Sequence, residues 1–240
     1  MTTTQSIWKF GQRQMRLLAG LLFLCGIAAI FSAPAAAQEE HPLTGRKIAP
    51  VMGSGGASWL DRNERESEEH PDQALDALNL KRGMVVGDVG AGTGYMSLKM
   101  AKRVGPLGKV YAEDIQPEML RMLRQNAANA HASNVETVLG TETDPKLPAG
   151  QLDLILLVDV YHEFSQPQKM VRGMREALKP DGRLVLLEYR KEDPNIPIRP
   201  EHKMSVQEVK TELEAEGFKM DQVIETLPRQ HILILKKAQQ

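Results

Sequence analysis

The sequence predicts an α/β fold, a parallel sheet covered by helices and closed by an antiparallel hairpin, from three observations. From residue 84 onward, short apolar runs alternate with longer amphipathic stretches, the pattern of strand–helix–strand crossovers. A glycine-rich turn follows the first of these runs. The last two runs, 218–226 and 231–236, are four residues apart, too few for a helical crossover, so they pair antiparallel.

Each element has its own signal. Residues 84–88 read as the first strand, and 95–104 as a helix with Met96, Met100 and Val104 at helical spacing, stopped by Gly105-Pro106. A second strand spans 109–113. Pro117 then opens a helix through about Ala130, at the helix position where proline costs least. Residues 135–139 form a third strand. The stretch 152–158 is so uniformly apolar that it predicts a central strand buried on both faces. A helix over 168–178 ends at Pro180-Asp181-Gly182, and a fifth strand follows over 183–189. Ser205, with Glu208 at capping-box spacing, starts a helix that runs to about Glu216 and is closed by Gly217. Ahead of the first strand, 57–80 carries Trp59, Leu60, Leu75, Leu78 and Leu80 among many charges. It reads as two helices split at His70-Pro71, approached through the flexible Gly53-Ser54-Gly55-Gly56.

With 42% hydrophobic and 25% charged residues the chain has the composition of a packed globular protein. Its 30 Lys plus Arg against 31 Asp plus Glu leave no basic field for nonspecific binding of nucleic acid. A single cysteine, Cys25, excludes an intramolecular disulfide and a thiolate metal site. Residues 1–37 differ from the rest: Lys9, Arg13 and Arg16 precede an uncharged run over 17–31. That run would span roughly 22 Å as a helix, short of the ~30 Å hydrocarbon core of a bilayer. It therefore predicts a signal peptide cleaved between Ala37 and Gln38, and a periplasmic or secreted protein. An uncleaved anchor is the alternative. No permanent membrane span is expected after cleavage.

The strongest chemical signal is Gly87-Asp88-Val89-Gly90-Ala91-Gly92-Thr93-Gly94, between a strand and a helix. Glycines at alternate positions let the backbone approach a ligand at the carboxyl edge of the sheet. A dinucleotide fingerprint starting at Gly90 would need glycine at 95, which is Tyr95, and a P-loop would need Gly-Lys-Ser or Gly-Lys-Thr. The second strand ends in Glu113-Asp114, where an acid can accept hydrogen bonds from a ribose diol; Asp114 is the stronger candidate.

Together these stretches resemble the class I S-adenosylmethionine-dependent methyltransferases. The resemblance rests on 88–94, on Val110-Tyr111-Ala112-Glu113-Asp114-Ile115-Gln116-Pro117, on Asp153-Leu154-Ile155 leading to Asp159-Val160-Tyr161-His162-Glu163, and on Leu178-Lys179-Pro180-Asp181-Gly182-Arg183. It implies a Rossmann-like, doubly wound, seven-stranded sheet in the order 3-2-1-4-5-7-6 with strand 7 antiparallel. It also implies S-adenosyl-L-methionine as cofactor and a methyltransferase domain over 84–240, with 38–83 as an N-terminal extension that includes possible substrate-lid helices. By that resemblance Asp88, Gly90, Ala91, Gly92, Thr93 and Gly94 lie along the methionine part of the cofactor. Asp114 holds the ribose, and Ile115 and Asp159 add further contacts. The stretch 141–144 approaches adenine, with Glu142 and Asp144 both candidates, because Asp144-Pro145-Lys146 intervenes before the expected Leu147-Pro148.

Methyl transfer from a sulfonium needs alignment and exclusion of water, and a base only when the acceptor must lose a proton. His162 and Tyr161, just past the fourth strand, are the candidate catalytic residues, and Glu188, Tyr189 and Arg190 are candidate acceptor contacts. Trp59 is a candidate lid residue. His41, His70, His131, His202 and His231 show no metal-ligand spacing, so no metal site is expected. The predicted function is methylation of a small-molecule acceptor, with no nucleic-acid partner. The alternative is a protein that binds S-adenosylmethionine or a nucleoside without transferring a methyl group. Tyr95 and the terminal hairpin argue against a nicotinamide-dependent oxidoreductase, and the lack of thiols after residue 37 argues against an arsenite-type methyltransferase.

Overall fold

A computed structural model describes residues 39–238. The predicted leader and its junction at Gln38 lie outside the described residues. Ahead of the sheet the chain forms three short helices, α1 (Ala57–Leu60), α2 (Arg65–Glu69) and α3 (Pro71–Ala77). Two were expected. The break at His70 is where the sequence put it, in a left-handed conformation with φ 50° and Pro71 opening the next helix. The additional break arises because 61–64 turns, allowing Arg65 Nη1 to reach back to the carbonyl of Leu60 at 2.9 Å.

The alternating region then runs β1 (Val85–Val89), α4 (Tyr95–Val104), β2 (Lys109–Asp114), α5 (Pro117–Asn129), β3 (Val135–Leu139), β4 (Leu152–Val158), α6 (Pro167–Ala177) and β5 (Leu178–Tyr189). It closes with α7 (Val206–Ala215), β6 (Phe218–Ile224) and β7 (Gln230–Lys237). The seven strands lie in the order β3-β2-β1-β4-β5-β7-β6, parallel from β1 to β5, with β7 antiparallel to both its neighbours. The crossover from β1 runs to β2 on one side, and the chain returns from β3 to place β4 on the other side of β1. This creates the crevice at the carboxyl edge where open α/β sheets bind ligands.

Strand alternation divides the core between the two faces. Ile155, Leu157, Leu184, Leu186, Leu233 and Leu235 pack with Met170 and Met174 of α6 and Leu213 of α7. Leu154, Leu156, Val185, Leu187, Ile232 and Ile234 pack with Leu75 of α3 and Met100 and Val104 of α4. Each fully buried leucine is worth about 1.5–3 kcal/mol, so both layers are needed to hold the central strand. β5 begins five residues earlier than the expected 183, because Leu178 pairs with Leu152 as soon as α6 ends and the Pro180-Asp181-Gly182 turn bulges within the strand. The capping box of α7 forms: Ser205 Oγ accepts from Glu208 N at 3.1 Å, and Glu208 Oε2 accepts from Ser205 N at 2.9 Å.

The segment preceding α1 is strapped to the body. Arg46 donates from Nε and Nη2 to Glu212 of α7 at 2.8 and 3.0 Å, and both residues are buried. Arg46 Nη1 and Ala49 N also donate to the carbonyl of His162, at 3.2 and 3.0 Å. Among the described residues no helix is long and apolar enough to cross a membrane.

Candidate active site

After β1 the chain leaves the sheet through Gly90, Gly92 and Gly94, with φ of 72°, 54° and 89°. Left-handed backbone favours glycine, and space demands it too: a Cβ on Gly90 would lie 2.4 Å from Val160 Cγ2, and one on Gly92 2.5 Å from Leu60 Cδ1. Asp114 braces this loop, its Oδ2 accepting from Gly92 N at 2.9 Å and its Oδ1 from Gln116 N at 2.8 Å. Burial raises its pKa above the ordinary carboxylate value, against the pull of these amides. Each of its oxygens has a second lone pair available to a ligand hydroxyl.

Beyond the loop lies a cavity with about 750 Å³ of empty space, part of it open to solvent. Of the predicted cofactor contacts, Gly90, Gly92, Asp114, Ile115, Glu142 and Asp159 line it. Asp88, Ala91 and Thr93 instead face a smaller recess behind the loop. There Asp88 accepts from Ser97 Oγ, and burial pushes its carboxyl up to about 6. Gly94 caps α4 against Leu123. Glu142 accepts from Ser165 Oγ at 3.0 Å beside the cavity, whereas Asp144 is turned to Lys146.

Two buried carboxylate oxygens, Glu113 Oε1 and Asp159 Oδ1, have no hydrogen-bond partner among the described residues. Glu113 packs on the bare backbone of Gly140, where a Cβ would stand 1.8 Å from that oxygen. Burial, with the Asp114 charge beside it, pushes Glu113 up to about 8. Asp159 is held in left-handed backbone at φ 51°, with Oδ2 accepting from Gln230 Nε2 at 2.7 Å. Burial and the charges of Glu69 and Glu188 lift its pKa well above the carboxylate range.

A second cavity, with about 1180 Å³ of empty space that includes its opening to solvent, adjoins the first, and Met52, Leu60, Asp159 and Glu163 line both. His162 lines the second, with Nδ1 2.7 Å from Glu188 Oε2 and Nε2 3.1 Å from His202 Nδ1. Glu188 is fully buried and its Oε1 accepts from Tyr161 N, so the imidazole stands on a fixed carboxylate. Tyr189 lines this cavity with its hydroxyl donated to Glu69 Oε1 at 2.9 Å, while Arg190 turns away to the carbonyls of Leu227 and Gln230. Trp59 is on the rim, half exposed, with the Arg62 guanidinium 3.7 Å above its ring.

Tyr161 is not brought to either cavity. Its ring is 1% exposed and packs in the core beneath α6 and α7, edge-on to Phe164, with Arg46 5.2 Å from its centroid. The 3-10 turn Tyr161–Glu163 points successive side chains in different directions, and it is His162 and Glu163 that face the second cavity. Sequence reasoning also missed Met52, Leu60 and Glu163 as walls. The first two come from the extension, which carries no motif.

Sheet order, glycine loop and strand-end acid together define a methyltransferase of the Rossmann-like class. Comparison with known proteins agrees. The family model for a methyltransferase domain matches residues 80–233. A SAM-dependent methyltransferase from Aquifex aeolicus superposes with a TM-score of 0.73 at 30% identity, covering 77% of this chain and 98% of the other. A TehB-like SAM-dependent methyltransferase from Corynebacterium glutamicum, 16% identical, shares the fold with a TM-score of 0.59 over 77% of this chain and 97% of its own. The ubiquinone/menaquinone biosynthesis C-methyltransferase UbiE of Escherichia fergusonii is 34% identical over 118 residues, 49% of this chain and 47% of that protein. The chain thus spans about half the length of the curated relatives it matches. It belongs to the class I S-adenosylmethionine-dependent methyltransferase family, and S-adenosyl-L-methionine is its cofactor.

The residues present fit that cofactor. The glycine loop would offer bare backbone to it, Asp114 has lone pairs that would serve the ribose diol, and the orphaned Asp159 Oδ1 would be an acceptor for the ammonium of the methionine part.

Proposed function

We propose that the protein is a small-molecule methyltransferase whose acceptor occupies the second cavity, facing the cofactor across Asp159 and Glu163. The observation that carries this reading is the shared wall: two adjoining cavities of different chemistry meet at the carboxyl edge of β4. Bound in the first, the cofactor supplies a methyl group already activated on a sulfonium. The chain aligns the acceptor, keeps water out with Met52 and Leu60, and takes up any proton the acceptor releases. The place for that proton is the His162–His202 pair. Glu188 accepts the Nδ1 proton of His162 and so leaves Nε2 as the basic nitrogen, 3.1 Å from the more exposed His202.

Pro50, Val51, Pro197 and Ile198 give the cavity apolar sides, and Trp59 and Tyr189 add aromatic faces. That lining suits an apolar acceptor bearing a hydroxyl, such as a hydroxylated aromatic ring. The UbiE relative is named for C-methylation in quinone biosynthesis, which fits this class of acceptor. Transfer of labelled methyl from S-adenosylmethionine to a panel of hydroquinones, catechols and simple phenols tests the reading, with peptides and oligonucleotides as comparison. Labelling confined to peptides or oligonucleotides would refute it. The reading of residues 1–37 as a leader places the reaction outside the cytoplasm. N-terminal sequencing of the exported protein should then begin at Gln38, and protein found wholly in the cytosol with its leader intact would overturn that placement.

A further inference from the structure

We infer that His162, Glu163 and His202 form a binding site for a transition-metal dication of the zinc class, open to the acceptor cavity. His162 and His202 are 40 residues apart in sequence, so no local ligand spacing announces the site. The fold brings one ligand atom from each of the three residues within 4.8 Å of the others. The Nε2 of His162 is 3.1 Å from Nδ1 of His202 and 4.0 Å from Oε1 of Glu163, and His202 Nδ1 is 3.9 Å from that oxygen. Ligands on a tetrahedral dication with bonds of about 2.1 Å stand ~3.4 Å apart, within this range, so the cation needs side-chain shifts of about half an ångström.

The surroundings have the form of a metal site. The Nδ1 of His162 rests on buried Glu188 at 2.7 Å, the carboxylate–imidazole arrangement that fixes the ring and aims its other nitrogen at a metal. Glu163 turns Oε2 toward Met52 N at 3.4 Å, which leaves Oε1 facing the two imidazoles. Two imidazoles and one carboxylate make a donor set for borderline dications rather than for calcium or magnesium, which take oxygen ligands. The three residues all line the second cavity, so the remaining coordination positions open onto the space assigned to the acceptor. For Nδ1 of His202 to bind, its proton moves to Nε2, and Arg199, which now points Nη2 at Nε2 from 2.9 Å, turns to solvent. An acceptor hydroxyl reaching the cation would be acidified by it, at the same spot where the metal-free protein offers the histidine pair.

The test is calorimetric titration of the purified, chelator-stripped protein with Zn2+, paired with visible absorption of the Co2+-substituted form. One Zn2+ should bind per chain with micromolar or tighter affinity, and Co2+ should show the d–d bands of a nitrogen–oxygen site. His202→Ala and Glu163→Gln, both near the cavity surface, should each weaken Zn2+ at least tenfold, while His131→Ala, remote from the cluster, should not. Thermal unfolding of the same samples followed by circular dichroism reports that each variant is folded. The inference is overturned if folded protein shows no saturable Zn2+ binding, or if either ligand variant binds Zn2+ as the wild type does.

Discussion

Glu113 makes a demand on stability that depends on pH. The side chain is 1% exposed, one oxygen lacks a partner, and Asp114, Asp88 and Asp144 add negative charge to an already desolvated carboxyl. Its pKa rises from 4.5 to about 8 on folding. The native state therefore binds a proton more tightly than the unfolded chain, and the stability associated with this group is complete below pH 4.5 and lost as pH rises toward 8. At about 1.4 kcal/mol per unit, the loss is under ~1 kcal/mol at pH 5 and about 5 kcal/mol at pH 9, the latter a ceiling because water entering the cavity relaxes it. Glu113→Gln keeps the shape and the acceptor for Gly90 N but removes the ionisation. An unsatisfied amide N–H costs the variant ~1–3 kcal/mol at every pH, so the informative quantity is the change in the stability difference between pH 5 and pH 9. That change should favour the variant by about 2–4 kcal/mol. Urea unfolding followed by circular dichroism at both pH values measures it, and parallel stability–pH curves for the two proteins would refute the argument.

Asp114→Ala should weaken binding of S-adenosylmethionine and S-adenosylhomocysteine at least tenfold by calorimetry, since hydrogen bonds to a charged group contribute ~1.5–3 kcal/mol each; undiminished affinity would move the ribose elsewhere. Gly92→Ala should cost ~1–2 kcal/mol for its left-handed backbone and also displace Leu60, so thermal stability and cofactor affinity should both fall. His162→Ala should lower turnover on an accepted substrate while cofactor affinity holds, whereas Tyr161→Phe, away from both cavities, should leave turnover within about twofold. Arg46→Met, which leaves buried Glu212 with Thr44 Oγ1 and His41 Nε2 as its partners, should lower unfolding stability by about 3 kcal/mol, the low end for a broken buried pair. A loss under 1 kcal/mol there would mean that the carboxylate finds water.

The strands were legible because burial on both faces of a parallel sheet leaves unbroken apolar runs, as in 152–158, and the closing hairpin because a four-residue gap forbids a crossover; the strand order came only with the family resemblance. The cofactor cavity was legible where chemistry is local: glycines that must take left-handed backbone, and an acid one strand later. What escaped depends on direction or distance. Asp159, Tyr161 and His162 sit together in sequence, but a single 3-10 turn sends Tyr161 into the core and His162 to the cavity, and spacing alone does not encode that rotation. The meeting of His162 with Glu188 follows from the pairing of β4 with β5, and its meeting with His202 from the loop after β5, neither of which leaves a local mark. The walls given by Met52 and Leu60 depend on a strap whose anchor is α7, far along the chain.

That anchor has a consequence for how the protein assembles. Arg46 and Glu212 are 166 residues apart, so the contact that seats the strap is nonlocal and closing it costs the entropy of a long loop. Without the strap the crevice at the sheet edge has a floor but lacks one side. A shortened chain that retained β1 through β5 but ended before α7 would still carry every glycine of the loop and Asp114, yet could not enclose a ligand. The capacity to hold cofactor and acceptor together is thus a property of the whole chain rather than of the motif that announces it.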